Sequence, residues 1–143
     1  MTALRDVTLA TFQARGELDE TTRRRARHVI SENEHTTAAA AAMREGDKAL
    51  LGSLMDASHL SLKEDFEVSS EALDVMVECA RPVAGCLGAR MTGAVFGGCT
   101  VALVEATQTQ GFCAEVGAAY QTRSGHEPQL YVCRATDGAA VVG

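Results

Sequence analysis

One stretch of the sequence, residues 88–100, reads GARMTGAVFGGCT and combines β-forming residues with a run of glycines. We predict strands at Ala89–Thr92 and Thr100–Val104, on either side of a loop that contains Gly93, Gly97 and Gly98. Glycine permits positive φ angles and close approach to the backbone, so the exposed N–H groups of such a loop can hold an anion. A simple glycine-rich hairpin is the alternative. Neither a Walker motif nor a dinucleotide-binding motif fits, because the loop leads into a strand and no Gly-Lys-Ser/Thr follows.

Helical patterns dominate the sequence before this stretch. After a short lead-in at residues 7–15, a first helix is predicted from Asp19 or Thr21 to Arg44, with Gly46 as its stop signal. Its predicted inward stripe comprises Ala26, Val29, Ile30, Thr37, Ala40 and Ala41.

Two further helices are predicted between residues 47 and 82. Asp47 is placed to cap the first of them and Ser70 the second, and a turn at residues 65–67 separates the two helices. The inward face of the earlier helix is predicted to comprise Leu51, Leu54, Met55, Ser58 and Leu62. The later helix is predicted to bury Leu73, Met76, Val77 and Ala80 and to end at Pro82.

The last part of the chain is predicted to add one helix and one strand. The helix covers Thr107–Arg123, with Gly125 after its end, and its predicted inward residues are Phe112, Val116, Ala119 and Tyr120. The strand covers Gln129–Cys133, which is rich in β-formers. The order of elements therefore predicts an α+β domain, residues 1–143, in which helices pack on a small, mainly antiparallel sheet.

Composition narrows the classes of function. A chain of 143 residues that is 46% hydrophobic fits one domain with its own core. Its net charge of −6 argues against a nucleic-acid partner, and the basic run at residues 23–27 is interpreted as a solvated helix face. No apolar run is long enough to span a membrane and no secretory signal opens the chain, so we expect a cytoplasmic location without a membrane partner.

Several polar groups are candidates for chemistry. The five cysteines lack metal or redox spacing and are interpreted as free, mostly buried thiols in a reducing compartment. His28, Glu32 and His35 fall on one helix face, either as metal ligands or as ordinary surface residues. The carboxylates at Asp65, Glu67, Glu71 and Asp74 could hold a metal, although a capped helix start explains Glu71 equally well. Arg90 is expected to pack its stem and to pair with an acid rather than with phosphate.

The glycine-rich stretch resembles the C-terminal motif of the galactokinase branch of the GHMP small-molecule kinases, which reads roughly G-x-R-x-T-G-A/G-G-F-G-G-C. The matching positions are Gly88, Arg90, Thr92, Gly93, Ala94, Phe96, Gly97, Gly98 and Cys99. Residues 54–62, LMDASHLSL, resemble that family's L-M-x-x-S-H-x-S-L, and residues 65–74 resemble its D-Y/F-E-V-S-x-x-E-L-D. Residues 25–29 and 132–139 are similar as well, so the resemblance covers nearly the whole chain.

The resemblance implies the fold of a GHMP kinase C-terminal domain and, for the parent enzyme, phosphorylation of galactose to galactose 1-phosphate with ATP and magnesium. It implies a cleft-shaping role for Gly93, Ala94, Gly97 and Gly98. For His59, which lies in the galactokinase-like stretch, we expect structural hydrogen bonding rather than catalysis. The family's sugar-binding motif, its phosphate loop and its catalytic Asp are not found, so the N-terminal catalytic and ATP-binding half is absent from this sequence. We therefore expect no catalytic residue, no metal ligand and no tightly bound cofactor in this chain alone.

Two questions stay open at the level of sequence. Val95 stands where the family pattern has glycine, and its side chain either obstructs the cleft or faces an unfilled gap. The partner of the chain is expected to be the missing half, or a second copy bound through an exposed apolar face. The alternative function is that of a non-catalytic, free-standing domain that binds a partner chain or a metabolite.

Overall fold

A computed structural model describes residues 3–14, 16–94 and 96–136. Its five α-helices are α1 (Leu9–Gln13), α2 (Glu20–Glu45), α3 (Lys48–Glu64), α4 (Glu71–Ala80) and α5 (Thr109–Ser124). The two strands are β1 (Cys86–Thr92) and β2 (Cys99–Val104), and short 3-10 helices lie at Leu4–Asp6 and Ala106–Gln108. Helices followed by a hairpin and a further helix confirm the predicted α+β class.

The helix boundaries follow from capping residues that the sequence displays. The side chains of Asp19, Asp47 and Ser70 accept hydrogen bonds from backbone N–H groups in the first turns of α2, α3 and α4. At the other end, Gly46 closes α2 and Gly125 closes α5 with φ angles of 71° and 74°. A residue with a Cβ is strained at such angles, so these glycines stop both helices as predicted. No helix of the described ranges is long and apolar enough to cross a membrane.

Within the described residues, the sheet is a single antiparallel hairpin. Strand β1 pairs with β2 in a register that places Ala89 opposite Ala102 and Arg90 opposite Val101, with an irregularity between Cys86 and Gly88. Both central strands are therefore confirmed. The predicted strand at 129–133 is wrong: these residues lie outside any described strand, and Tyr131 is 79% exposed. High β-propensity is realised only where a neighbouring strand supplies hydrogen bonds, and no described strand flanks this segment.

The main core lies between the hairpin and the last two helices. Buried Val77 of α4, Ala89 of β1, and Phe112 and Val116 of α5 form its centre. The predicted inward residues of α4 and α5 are confirmed here, since Ala119 and Tyr120 pack against the same cluster as half-buried residues. A smaller cluster around Val68, Leu73 and Met91 lies near the glycine-rich end of the hairpin.

The inward stripes predicted for α2 and α3 are only partly right. In α2 the buried residues are Ala26, His28, Ile30 and Ala42, whereas Thr37 is exposed. In α3 they are Gly52, Ser58, His59 and Ser61, whereas the predicted Leu51, Leu54, Met55 and Leu62 are half-buried. Helix α3 lies against α2 and the free edge of β1. A strand edge presents unpaired N–H groups, so the face that covers it carries hydrogen-bond acceptors and small residues.

The contact between α3 and β1 fixes the strand that leads into the glycine-rich loop. Asp56 Oδ1 accepts from Ala89 N–H at 2.8 Å, and His59 Nδ1 accepts from Met91 N–H at 3.3 Å. The two backbones also meet directly, because a Cβ on Gly52 would overlap the carbonyl of Leu87 and one on Gly88 would overlap Gly52. Helix α3 thus covers the edge of β1 that a third strand would otherwise pair with, and its side chains accept hydrogen bonds from that edge.

Candidate functional site

The predicted site residues Gly93, Ala94, Gly97 and Gly98 all lie in the loop that joins β1 to β2. Gly93 and Gly98 have φ angles of 87° and 89°, in the region that glycine occupies without strain. A Cβ on Gly98 would lie 2.5 Å from the carbonyl oxygen of Thr92, so the tight closure of the hairpin requires glycine there. Val95, the residue that departs from the family pattern, lies outside the described residues.

The outer part of the loop is open. Apart from its two chain neighbours, no described residue has an atom within 4 Å of the position that a Cβ on Gly97 would occupy, so the fold of this domain does not require glycine at that position. Phe96 is 70% exposed and has a φ angle of 60°, which is rare for a bulky residue. Strain of this kind persists only where the surroundings impose it, and it concentrates at functional sites.

Hydrogen bonds within the domain already use two of the loop's N–H groups. Phe96 N–H donates to the carbonyl oxygen of Val68 at 2.9 Å, and Gly97 N–H donates to the carbonyl oxygen of Ala94 at 3.3 Å. Residues 93–98 carry no ionisable or nucleophilic side chain. The loop can therefore shape a cleft with its backbone and the Phe96 ring, but it holds no group for proton transfer.

The acidic turn beneath the loop is neutralised by the basic run of α2. Glu67 pairs with Arg24 at 2.9 Å and with Arg25 at 2.6 Å, and Asp65 pairs with Arg27 at 2.7 Å. The hydrogen bonds from Arg25 and Arg24 lower the pKa of Glu67. The basic run is therefore not simply a solvated helix face, and two of the four carboxylates proposed as metal ligands are ion-paired.

Asp74, the third of these carboxylates, lies in a half-buried polar cluster that also contains buried His59. Its Oδ1 accepts from Ser69 Oγ at 2.6 Å and lies 3.4 Å from His59 Nε2, and its Oδ2 is 3.2 Å from Lys63 Nζ. Burial lowers the pKa of His59. His59 makes a structural hydrogen bond, as expected, and its partner is the N–H of Met91 on the edge of β1. The fourth carboxylate, Glu71, begins α4.

The triad of His28, Glu32 and His35 does not form a metal site, and it is not a surface cluster either. His28 is buried, donates or accepts at Ser61 Oγ over 2.9 Å, and stacks on the Phe66 ring at 4.4 Å. Glu32 accepts from Ser58 Oγ at 2.6 Å and pairs with His35 at 2.7 Å. Throughout the described chain, no group of three His, Cys, Asp or Glu residues is arranged to hold a metal ion.

Two other sequence predictions are corrected. Arg90 donates from Nε to the carbonyl of Met91 at 3.1 Å rather than to an acid. Cys79 is buried and Cys86 and Cys113 are half-buried, but Cys99 and Cys133 are exposed, so the thiols are free without being mostly buried. Burial raises the pKa of the Cys86 thiol, which lowers the fraction present as the nucleophilic thiolate.

Known proteins of similar sequence share the helices and the hairpin that carry the glycine-rich loop. The family model described as "GHMP kinases C terminal" matches residues 39–121, which include α3, α4, the hairpin and most of α5. The chain belongs to the GHMP kinase C-terminal family. Known members of similar sequence are galactokinases: one from Roseiflexus sp. (strain RS-1) is 48% identical over 98% of this chain. Another, from Exiguobacterium sibiricum, is 48% identical over 87% of this chain.

The GHMP kinase C-terminal fold is confirmed by a solved structure. The crystal structure of Lactococcus lactis galactokinase complexed with galactose matches 89% of this chain with a TM-score of 0.84 and 41% identity. The match covers 33% of that chain, and the two bacterial relatives are covered over 36% and 32% of their lengths. This chain therefore corresponds to the C-terminal part of a galactokinase and spans about a third of the relatives that it matches.

Sequence reasoning found the loop of this GHMP kinase domain but missed its supports. The carbonyl of Val68 accepts from the loop, and the carboxylate of Asp56 accepts from the strand that leads into it. The hydroxyl of Ser69, the next residue after Val68, donates to Asp74. Val68 and Ser69 lie in the stretch that resembles the family's D-Y/F-E-V-S, and that resemblance was the available signal. Their roles depend on contacts across the fold, which local patterns do not contain.

Proposed function

We propose that this chain supplies the C-terminal wall of the active-site cleft in a galactokinase, which transfers a phosphoryl group from ATP to galactose. The observation that carries the proposal is the glycine-rich loop, which has two left-handed glycines, open space at Gly97 and an exposed Phe96. The fold around it matches that of a galactokinase whose crystal structure contains galactose. Gly93, Ala94, Gly97 and Gly98 are assigned to the shape of this cleft.

Magnesium and the catalytic groups would come from the remaining two-thirds of the enzyme. Phosphoryl transfer requires a metal–nucleotide site, a positioned acceptor hydroxyl and charge stabilisation. The described residues do not fit a magnesium site, since they contain no suitable ligand cluster, and Asp65, Glu67 and Asp74 are paired with cations. What this chain contributes is orientation of the substrates and exclusion of water. The ATP pool for such a reaction is cytoplasmic, and the proposal places the enzyme there.

The rest of the enzyme, on the same or another chain, is the proposed partner. Leu130, Tyr131 and Val132 form an exposed apolar run with 42%, 79% and 66% of their surfaces accessible. Exposed apolar runs of this kind mark surfaces that are covered in the assembled protein. This favours a domain that needs its N-terminal part over a free-standing binding module. A homodimer through the same run is the competing assembly.

The experiment measures galactose-dependent ADP release with magnesium-ATP in a coupled assay. The isolated chain is expected to show no turnover. A chimera, in which this chain replaces the matched C-terminal third of Lactococcus lactis galactokinase, is expected to be active. A folded but inactive chimera would contradict the proposal and favour the non-catalytic alternative, and turnover by the isolated chain would contradict our placement of the chemistry.

A paired substitution separates the cleft from the fold. Gly97→Val in the chimera places a side chain in space that this domain leaves open, so folding is expected to be kept while kcat/KM falls at least about tenfold. Gly111→Ala is the matched control, because Gly111 is also surrounded by open space but lies on α5. Full activity of the Gly97→Val chimera would contradict the assignment of Gly97 to the cleft.

A further inference from the structure

The supports beneath the glycine-rich loop form a connected polar series. It begins at His59 on α3, passes to Asp74 in the first turn of α4 and continues to Ser69 in the turn that precedes α4. The next residue back, Val68, accepts the hydrogen bond from Phe96 N–H in the loop. These contacts join three separate parts of the sequence, at residue 59, at residues 68–74 and at residue 96.

The geometry determines where the proton of His59 lies. His59 is buried, and its Nδ1 accepts a hydrogen bond from Met91 N–H, so this nitrogen carries no proton. Burial also lowers the pKa of His59 and favours the neutral ring. The single ring proton is therefore on Nε2, the atom that lies 3.4 Å from Asp74 Oδ1. The two ring nitrogens of His59 therefore face different groups. Nδ1 accepts from the N–H of Met91, and the protonated Nε2 faces the carboxylate of Asp74.

Asp74 is linked to the loop through the peptide bond between Val68 and Ser69. Its Oδ1 holds the hydroxyl of Ser69 at 2.6 Å, which fixes the Ser69 side chain relative to its backbone. The carbonyl of Val68 belongs to the peptide bond that joins Val68 to Ser69, so the orientation of Ser69 sets the direction of this carbonyl. That carbonyl receives Phe96 N–H at 2.9 Å and holds Phe96 in its left-handed conformation.

We propose that His59, Asp74 and Ser69 are positioning residues for the glycine-rich loop. The Nε2 side of His59 faces Asp74 and acts on the loop through it, whereas the Nδ1 side holds strand β1. The hydrogen bonds of these side chains run to one another and to β1, and we assign none of the three a catalytic role. The proposal concerns the position of the loop in this chain, and only its consequence for turnover rests on the proposed galactokinase function.

Two variants of His59 separate its two nitrogens. In His59→Asn the amide oxygen takes the place of Nδ1, and in His59→Gln the amide nitrogen takes the place of Nε2. Native-state hydrogen exchange on the isolated 143-residue chain reports the two contacts independently. His59→Asn is expected to keep protection of Met91 N–H and to lose at least about tenfold in protection at Phe96 N–H. His59→Gln is expected to show the reverse pattern.

Ser69→Ala tests the series without disturbing a buried ring. It is expected to reduce protection at Phe96 N–H about tenfold while leaving Met91 N–H unchanged. Ser53→Ala is the control for loss of a serine hydroxyl, since Ser53 is exposed on α3 and its hydroxyl donates to the carbonyl of Ala49, away from this series. Equal loss at both amides in all His59 and Ser69 variants would overturn the proposal, because a purely global loss of stability has that effect.

The same variants connect the loop to activity in the chimera. Ser69→Ala is expected to lower kcat/KM for galactose phosphorylation, with Ser53→Ala unchanged. If the exchange pattern is as expected while activity is unchanged, the positioning series stands and the cleft assignment of the loop fails. If the exchange pattern is absent in a folded chain, the positioning series fails whatever the activity of the chimera.

Discussion

The carboxylate of Asp56 accepts the backbone N–H of Ala89 at 2.8 Å and so satisfies the edge of β1 that β2 leaves unpaired. Ala89 is fully buried, and water therefore cannot replace this acceptor. The same carboxylate oxygen receives Arg81 Nε at 2.9 Å, which links the end of α4 to the strand. The side chain of Asp56 on α3 therefore fixes the position of β1 relative to the end of α4.

Replacement of Asp56 is expected to show which of these two contacts matters more. Asp56→Ala leaves the Ala89 N–H buried without an acceptor and is expected to lower the free energy of unfolding by about 1–3 kcal/mol. Asp56→Asn keeps an acceptor oxygen and loses mainly the ion pair with half-exposed Arg81, so its cost is expected to be below about 1 kcal/mol. Urea denaturation measures both. Equal losses would show that the Arg81 contact dominates.

The close packing of α3 on β1 predicts opposite outcomes for two helical glycines. Gly52→Ala forces a Cβ into the Leu87 carbonyl and is expected to destabilise the domain by about 3 kcal/mol or more, or to prevent folding. Gly111→Ala, in open space on α5, is expected to stabilise it by about 0.5–1 kcal/mol. Thermal denaturation distinguishes the two. A stable Gly52→Ala protein would refute the direct contact between the two backbones.

The left-handed backbone at Phe96 predicts that glycine is the better small residue there. Phe96→Gly relieves the strain of a positive φ angle, whereas Phe96→Ala keeps it, and the exposed ring contributes little burial in this chain. Phe96→Gly is therefore expected to exceed Phe96→Ala in stability by about 1 kcal/mol. Chemical denaturation of the two variants measures the difference. A more stable alanine variant would mean that the ring itself imposes the angle.

Burial of His28 predicts a loss of stability in mildly acidic solution. Burial lowers the pKa of His28 against the opposing attraction of Glu32 and Asp65, while Arg90 and His35 lower it further. The unfolded chain then binds more protons than the folded one below about pH 6.5, so the free energy of unfolding falls as the pH falls, by at most about 1.4 kcal/mol per pH unit for this residue. His59 contributes in the same direction. Paired carboxylates such as Glu67 act only at lower pH.

His28→Gln is the variant that checks this dependence. It is expected to reduce the pH slope of stability between about pH 5 and 7 without abolishing it, because His59 remains. His126→Gln removes an exposed histidine and is the matched control, with the slope of the unmodified chain expected. Urea titrations at several pH values supply the slopes. An unchanged slope in His28→Gln would show that other groups cause the acid sensitivity.

The sequence by itself determined the elements whose signals are local. Asp19, Asp47 and Ser70 cap helices through bonds to residues three positions away, and Gly46 and Gly125 end helices by their own backbone freedom. The hairpin around Gly93 and Gly98 follows in the same way from glycine between two β-forming runs. The resemblance to a known family then predicted the fold of the whole domain and the role of its glycine-rich loop.

Tertiary structure decided the features that depend on residues far apart in the chain. Ser58, His59 and Ser61 are buried although they are polar, because their helix covers α2 and a strand edge instead of an apolar face. Gly52 is required by the backbone of β1, which helix propensity cannot reveal. The segment at 129–133 has β-propensity but no described neighbouring strand, and a strand exists only where another strand pairs with it.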